Sequence, residues 1–146
     1  MKSTDAYLQT HISETVGEVE EVQKLFPKYQ DYTELYEKNG CLTPKTILAH
    51  AIYLSDDECS RIAATGSKVA HCPTSNMFLK SGRMPIERIE KAGIKYGLGT
   101  DVGAGVSMSI FTEMRHADYV QPDISISPTK AFYLATLAGA EVLSME

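Results

Sequence analysis

The chain has 146 residues, of which 23% are charged and 43% are hydrophobic. This balance is typical of a soluble globular protein with its own core. A formal net charge of -5 and the absence of any block of Lys or Arg argue against a nucleic-acid-binding face. No apolar stretch approaches the roughly 20 residues that cross a membrane, and residues 1–5 lack a signal-peptide core. The three cysteines form no C-x-x-C pair, which favours a reduced, cytoplasmic protein.

The first predicted strand covers residues 6–10, and a helix is predicted to start at Ser13. His11 then stands at the carboxyl end of the strand, and Glu14 lies in the turn beyond it. A neutral imidazole is a good ligand for a divalent metal. A carboxylate beside it can move protons for a metal-bound water. Alone, the pair indicates little, because a histidine near a glutamate is common in surface and core chemistry.

Two helices are predicted to follow this first strand. Apolar residues recur at three- and four-residue spacing from residue 16 to residue 26, which predicts an amphipathic helix, and Pro27 ends it. A shorter helix is predicted across residues 32–36. Asn39 and Gly40 stop it in the manner of a C-cap.

The next two predicted strands also end in histidine. Residues 46–50 form the second strand, which ends at His50, and residues 68–71 form the third, which ends at His71. Between them, Ser55 and Glu58 have the spacing of a capping box. This spacing predicts the start of the helix that connects the two strands.

The fourth predicted strand, residues 94–101, ends in a carboxylate, that of Asp101. It is preceded by a loop predicted over residues 72–83, where Pro, Ser, Asn and Gly are frequent. A helix is predicted between the loop and the strand. Pro85 can occupy its first turn, and Gly93 closes it.

Two more helices are predicted in the last part of the chain. They cover residues 109–120 and 127–138, with Gly139 at the end of the second or at a break in it. Strand and helix therefore alternate four times. The strands are short, apolar and unalternating, as in a parallel sheet covered by helices. We find no linker, low-complexity tract or second domain, so residues 1–146 are predicted to form one domain.

Three of the four histidines and one aspartate occupy the predicted strand ends. In parallel α/β folds, functional groups collect at the carboxyl ends of strands. Imidazole combined with carboxylate suits Zn²⁺ or Fe²⁺. Any one of these histidines could instead be a hydrogen-bonded structural residue, but chance would scatter them over helices and loops. The strand-end residues are His11, His50, His71 and Asp101.

These residues and the motifs around them resemble the amidohydrolase superfamily of metal-dependent hydrolases, and within it the guanine deaminase family. The superfamily is built on a (β/α)8 barrel in which strands 5 and 6 end in His and strand 8 ends in Asp. His11, His50 and Asp101 match these positions. The matching motifs are Q-T-H-I-S-E at residues 9–14, A-H at 49–50, A-H-C-P-T-S-N at 70–76 with S-G at 81–82, and G-L-G-T-D-V at 97–102.

The resemblance implies a partial (β/α)8 barrel whose four βα units correspond to strands 5–8. The superfamily begins its barrel with a His-x-His pair that supplies two metal ligands, and this sequence has no His-x-His. Residues 1–146 are therefore expected to be the C-terminal half of a barrel, and a fragment of a longer protein. Four βα units would also leave two unpaired edge strands, which an intact barrel does not have.

The resemblance further implies zinc-dependent hydrolysis of guanine to xanthine and ammonia, with Fe²⁺ as the alternative metal. His11 and Asp101 would bind the metal, and Asp101 would also accept a proton from the attacking water. Glu14 would protonate a ring nitrogen and carry protons to the leaving amine, while His50 would hydrogen-bond the attacking hydroxide. These four residues would also contact the substrate. His71, for which the resemblance implies no ligand role, is predicted to be structural or pocket-lining.

Several alternatives stay open. Deaminases of S-adenosylhomocysteine or methylthioadenosine, and triazine hydrolases, share the His, His, Asp skeleton. The isolated chain could instead be a non-catalytic half-barrel that self-associates through its edges, whereas the full-length protein is expected to be a homodimer. Glu14 could be an ordinary carboxylate in the first turn of a helix. Thr74, Ser75 and Asn76 are predicted to shape their loop through hydrogen bonds from side chain to backbone.

Overall fold

A four-stranded parallel sheet forms the centre of the structure, a computed structural model that describes residues 6–145. Its strands follow one another in sequence order, and each pairs in parallel with the next. This confirms the predicted alternation of four strands with helices. The strands are β1 (Leu8–Ile12), β2 (Thr46–His50), β3 (Lys68–His71) and β4 (Tyr96–Leu98).

Eight helices lie between and after these strands in the described part of the chain. Two of them begin with a capping box, at Thr15 with Glu18 and at Ser55 with Glu58, and the second of these was predicted from its spacing. None of the helices between residues 6 and 145 has the length and apolar character needed to span a bilayer. The helices are α1 (Val16–Leu25), α2 (Tyr32–Lys38), α3 (Asp56–Ala64), α4 (Pro73–Phe78), α5 (Ile86–Lys91), α6 (Ile110–Tyr119), α7 (Pro128–Ala135) and α8 (Leu137–Leu143).

The main error of the sequence prediction is α4, which occupies part of the segment predicted as a loop. Pro73 begins this helix, where its missing N–H costs no hydrogen bond. The polar residues behind it favour loops in isolation because their side chains compete for backbone hydrogen bonds. In the folded chain Thr74, Ser75 and Asn76 are buried, and their side chains bond other parts of the protein. Tertiary contacts therefore decide the structure of this segment.

The remaining differences are shifts of helix and strand boundaries. Strand β1 lies two residues later than predicted, so it includes His11, and β4 ends at Leu98, so Asp101 lies in the loop beyond the strand. The N-cap of α5 is Pro85, one position before the helix. The predicted last helix is divided at Thr136 into α7 and α8, with Gly139 inside α8. None of these shifts changes the order of the elements.

The two faces of the sheet have different surroundings. One face packs against helices through a buried core that includes Leu48, Val69 and Ile62. The opposite face, which includes Ala49 and Ala70, lines a cavity of about 430 Å³. This cavity also reaches residues of α8 and the loop that follows β4. The sheet thus has one face covered by helices and one face open to a cavity.

Candidate active site

Three side chains converge at the carboxyl end of the sheet. His11, His50 and Asp101 each offer one ligand atom, a ring nitrogen or a carboxylate oxygen, and these three atoms lie within 4.8 Å of one another. The imidazole ring of His11 stacks on that of His50, with ring centroids 5.2 Å apart and an interplanar angle of 16°. His11 is exposed, whereas His50 is buried. The structure therefore brings together three of the four residues that the strand-end pattern selected, and these are the three that match the positions of the amidohydrolase superfamily.

The backbone conformation of His50 brings its side chain to this cluster. In the β1–β2 register His11 lies opposite Ala49, and His50 lies opposite Ile12. Because successive side chains in a strand point to opposite faces, regular alternation would send His50 to the helix-covered face with Ile12. The φ angle of His50 is instead +71°, which rotates Cβ about the N–Cα bond. The ring consequently stacks on His11.

His71, the other strand-end histidine, stays on the helix-covered side. It lies opposite Leu98 in the β3–β4 register and is fully buried. Burial, assisted by the neighbouring His50, lowers the pKa of His71 to about 3, so its imidazole is neutral at pH 7. Neither ring nitrogen has a hydrogen-bond partner among the described residues. His71 is therefore a buried neighbour of the cluster and contributes no ligand atom to it.

Glu14 lies beside His50, outside the group of three. Its Oε2 is 3.7 Å from His50 Nε2, and its Oε1 accepts a hydrogen bond of 2.8 Å from Ser81 Oγ. Glu14 precedes the N-cap residue Thr15, so it belongs to the turn before α1. The alternative that Glu14 is a first-turn helix residue is therefore wrong, because Glu18 occupies that part of α1.

The tautomer of His50 follows from its contact with Asn76. Asn76 Oδ1 lies 2.8 Å from His50 Nδ1, and an amide oxygen can only accept a hydrogen bond. His50 Nδ1 therefore carries a proton, and in the neutral imidazole the lone pair is on Nε2, the nitrogen that faces Glu14. A histidine held in this tautomer can accept a proton or bind a metal through Nε2.

The segment from α4 to Ser81 supplies a hydrogen-bond partner to three residues of the site. Ser75 Oγ donates to Asp101 Oδ2 at 2.5 Å, Asn76 pairs with His50, and Ser81 Oγ donates to Glu14. The prediction that residues 74–76 bond the backbone of their own loop is wrong for these side chains, because the fold brings distant partners to them. The T-S-N and S-G motifs are visible in the sequence, but they do not reveal that these side chains bond Asp101, His50 and Glu14.

A tight turn directs the carboxylate of Asp101. The φ angle of Asp101 is +49°, and its backbone oxygen accepts hydrogen bonds from Ala104 N at 3.0 Å and Gly105 N at 2.6 Å. A Cβ on Gly105 would lie only 1.8 Å from the backbone oxygen of Thr100. Gly105 is therefore required for this turn.

The donor set fits a divalent metal. Two donors that each bond a tetrahedral metal at about 2.1 Å lie about 3.4 Å apart, so a pair at the 4.8 Å limit would have to close by about 1.4 Å. Two imidazoles and a carboxylate suit Zn²⁺ or Fe²⁺. His11 and Asp101 also line the cavity of about 430 Å³, a volume in the range of small-molecule sites. The site thus combines a candidate metal centre with room for a small ligand.

Comparison with known proteins identifies similar chains. The sequence model of the amidohydrolase family matches residues 1–146. Guanine deaminase of Mus musculus is 40% identical over 153 residues, which cover 99% of this chain and 34% of that protein. The probable guanine deaminase of Schizosaccharomyces pombe is 43% identical over 146 residues, which cover 94% of this chain and 28% of that protein. The chain therefore spans about a third of the length of the curated relatives that it matches.

Solved structures agree with this result. Escherichia coli guanine deaminase has a TM-score of 0.94 and 34% identity, covering 97% of this chain and 33% of that one. Clostridium acetobutylicum guanine deaminase with bound guanine has a TM-score of 0.85 and 34% identity, covering 92% and 35% of the two chains. An adenosine deaminase from Xanthomonas campestris with bound zinc has a TM-score of 0.87 and 27% identity, covering 96% and 33%. These neighbours confirm the predicted partial barrel and support a metal cofactor.

Proposed function

This chain belongs to the amidohydrolase family, and from this premise we propose that it is part of a metal-dependent guanine deaminase. The reaction is the hydrolysis of guanine to xanthine and ammonia. The observation that carries the proposal is the convergence of His11, His50 and Asp101, with Glu14 beside them. The similarity to guanine deaminases over nearly the whole chain supports this substrate.

We propose that the metal is Zn²⁺, with Fe²⁺ as the alternative, and that His11 and Asp101 bind it. His50 lies within the same group of donors, so it could bind the metal or hydrogen-bond a water molecule on it. When bound, the metal lowers the pKa of a water molecule toward neutrality and so supplies the nucleophile. The hydrogen bond from Ser75 to Asp101 fixes one carboxylate oxygen and leaves the other free to face the metal.

The protein residues divide the proton transfers among them. Asp101 accepts a proton from the attacking water, and His50 accepts a hydrogen bond from that water through Nε2. Glu14 donates its proton to a ring nitrogen of the purine, takes up the proton that Asp101 received from the water and passes it to the leaving amine. The hydroxyl on the tetrahedral carbon returns a proton to Glu14 as ammonia leaves and the carbonyl of xanthine forms. The distance of 3.7 Å between Glu14 Oε2 and His50 Nε2 supports this role, and general acid–base help is worth about 10²–10⁴-fold in rate.

We further propose that the chain is the C-terminal half of a barrel in a longer protein, as residues 1–146 were predicted to be. Within the described residues the cluster contains two histidines and one carboxylate. Further ligands would come from the other half of the barrel, where the superfamily pattern has His-x-His. Strands β1 and β4 each have one neighbouring strand, which leaves an edge on both sides for the missing strands to pair with.

The test is turnover by the full-length protein that contains this chain. Xanthine and ammonia should appear in equal amounts from guanine, and metal analysis should find zinc in proportion to protein. S-adenosylhomocysteine, methylthioadenosine and a triazine serve as competing substrates. Hydrolysis of one of these in preference to guanine would replace the proposed substrate. Light scattering on the same preparation tests the expected homodimer.

The second candidate is a non-catalytic half-barrel that self-associates, and the open edges of β1 and β4 favour it for the isolated chain. In that case the chain should form dimers in light scattering and turn over no guanine. We expect it to bind zinc weakly, because an incomplete set of ligands loses affinity. Equilibrium dialysis after chelator treatment measures this. Stoichiometric zinc at sub-micromolar affinity would mean that the site is complete in the isolated chain.

A further inference from the structure

One buried carboxylate behind the candidate site has no part in the proposed reaction. Glu113 of α6 is fully buried. Its Oε1 accepts a hydrogen bond of 2.7 Å from Thr74 Oγ1, and its Oε2 accepts one of 3.1 Å from Thr74 N. Both oxygens of Glu113 are therefore bonded to a single residue, which lies at the start of α4. A bidentate contact of this kind fixes both the position and the orientation of Thr74.

The residues that follow Thr74 are the ones that hold the site. Ser75 donates to Asp101 at 2.5 Å, and Asn76 pairs with His50 at 2.8 Å. The backbone oxygen of Asn76 also accepts from Ser81 N at 2.8 Å, and Ser81 Oγ donates to Glu14. A shift of α4 would therefore disturb the hydrogen bonds of Asp101, His50 and Glu14 together.

We propose that Glu113 is a positioning residue of the active site, acting through Thr74 on the hydrogen bonds that orient Asp101 and His50. The proposal rests on the proposed function and adds to it a residue that touches neither metal nor substrate. Outer residues that orient metal ligands commonly affect metal affinity or activity about 10–100-fold.

Packing alone does not account for a carboxylate at this place. Burying a charge is costly, and a buried charge among neutral donors recovers that cost only through well-formed hydrogen bonds. An apolar side chain of similar volume would join α6 to α4 without this desolvation. The carboxylate adds a defined orientation of Thr74, because its two oxygens accept hydrogen bonds from the N–H and O–H groups of that residue. The hydrogen bond that Ser75 donates to Asp101 and the one that Asn76 accepts from His50 both depend on this orientation of α4.

The test compares variants of the full-length protein in turnover and in zinc affinity. Glu113→Gln keeps the size of the side chain but replaces one acceptor oxygen with an N–H donor, which cannot accept from Thr74. Thr74→Val removes the hydroxyl and keeps the shape. Each should lower kcat about 10–100-fold and weaken zinc binding in a chelator competition, with KM changed by less than about threefold. Thr74→Ser restores the hydroxyl and should recover most of the kcat.

The matched control is Glu58→Gln. Glu58 is also a buried glutamate, and it accepts from Thr33 Oγ1 at 3.0 Å and from Ser55 N at 2.9 Å. Among the described residues, these two partners form no hydrogen bond to His11, His50, Asp101 or Glu14. This variant should lose thermal stability while kcat and zinc affinity stay within about threefold of wild type, below the range expected for an outer positioning residue.

Two outcomes would overturn the proposal. The first is that Glu113→Gln and Thr74→Val keep the wild-type kcat and zinc affinity at temperatures where they are folded. The second is that Glu58→Gln loses as much kcat and zinc affinity as the Glu113 variant does. A wild-type protein without guanine turnover would refute only the proposed substrate. The zinc affinities of the Glu113 and Glu58 variants would then still decide whether Glu113 positions the site.

Discussion

Replacement of Glu14 by Gln separates proton transfer from structure, because glutamine keeps the size of the side chain and one acceptor oxygen. In the wild type, Oε1 of Glu14 accepts from Ser81 Oγ at 2.8 Å, and Oε2 faces His50 Nε2 at 3.7 Å. The amide oxygen of glutamine can keep the first contact. Its amide nitrogen would replace the oxygen that faces His50, and this nitrogen cannot carry protons in the reaction.

The structural cost of this change should be small and the catalytic cost large. A hydrogen bond to a charged group contributes about 1.5–3 kcal/mol and a neutral one about 0.5–1.5 kcal/mol, so the loss in unfolding free energy is about 1 kcal/mol. The side chain of Glu14 is 21% exposed, which reduces this loss further. General acid–base help contributes about 10²–10⁴-fold in rate, which equals about 3–5 kcal/mol of activation free energy. A shuttle used in several steps should fall near the upper end.

The assay measures kcat for guanine, zinc content and urea unfolding on the full-length Glu14→Gln protein. Glu18→Gln is the matched control, because Glu18 Oε2 accepts from the backbone N–H groups of Glu14 and Thr15 and stabilises the start of α1. Glu18→Gln should lower the unfolding free energy but keep kcat within about threefold of the wild type. This change is far smaller than the roughly 10²–10⁴-fold loss expected when an acid–base group is removed. If Glu14→Gln keeps more than about a tenth of the wild-type kcat, Glu14 has no acid–base role.

Three further changes test other parts of the site. Asp101→Asn should lower both the zinc affinity, measured by equilibrium dialysis, and the turnover. Each loss should exceed the roughly 10–100-fold effect of an outer residue that only orients a ligand. Glu14→Gln, in contrast, should bind zinc as the wild type does. Gly82→Ala should lower the unfolding free energy by about 1–3 kcal/mol, because its φ is +132° and a Cβ would lie 2.7 Å from Tyr53 Oη. Gly93→Ala is the control, since φ is +76° there and nothing lies within 4 Å of the added Cβ. It should lower the unfolding free energy by less in the same urea titration. The pKa of His71 is lowered from 6.5 to about 3 by burial, so the unfolded chain binds a proton that the folded chain does not. Stability of the metal-free protein should therefore fall as the pH decreases from 6.5 toward 3, and urea titrations of His71→Leu should show a weaker dependence over that window.

The sequence was sufficient to predict the order of strands and helices, because the signals for these elements are local. Short apolar runs predicted the parallel strands, and the spacing of Ser55 and Glu58 predicted the capping box of α3 that the structure contains. Helix α4 could not be predicted in this way. Its polar side chains lose their preference for a loop only when their partners are present, and Glu113 is 39 residues from Thr74 along the chain.

The strand-end rule selected the right edge of the sheet but could not decide which histidines meet there. Residues without a Gly signal adopt positive φ at these ends, +49° at Ser13, +71° at His50 and +49° at Asp101. Each such conformation costs about 1–3 kcal/mol, so the sequence alone favours regular extended backbone. Hydrogen bonds from Ile52 N and Tyr53 N to the Ser13 oxygen hold one of these turns in the folded chain.

The positive φ of His50 is what distinguishes it from His71. Both histidines end a strand, and in both registers regular alternation directs the side chain to the helix-covered face. His71 keeps that direction and is buried as a neutral imidazole, whereas the backbone of His50 turns its ring toward His11. Strain at a strand end therefore selects the candidate active-site histidine, and Asn76 then fixes its tautomer. Because Asn76 belongs to α4, the position of that helix sets both the tautomer of His50 and, through Ser75, the direction of the Asp101 carboxylate.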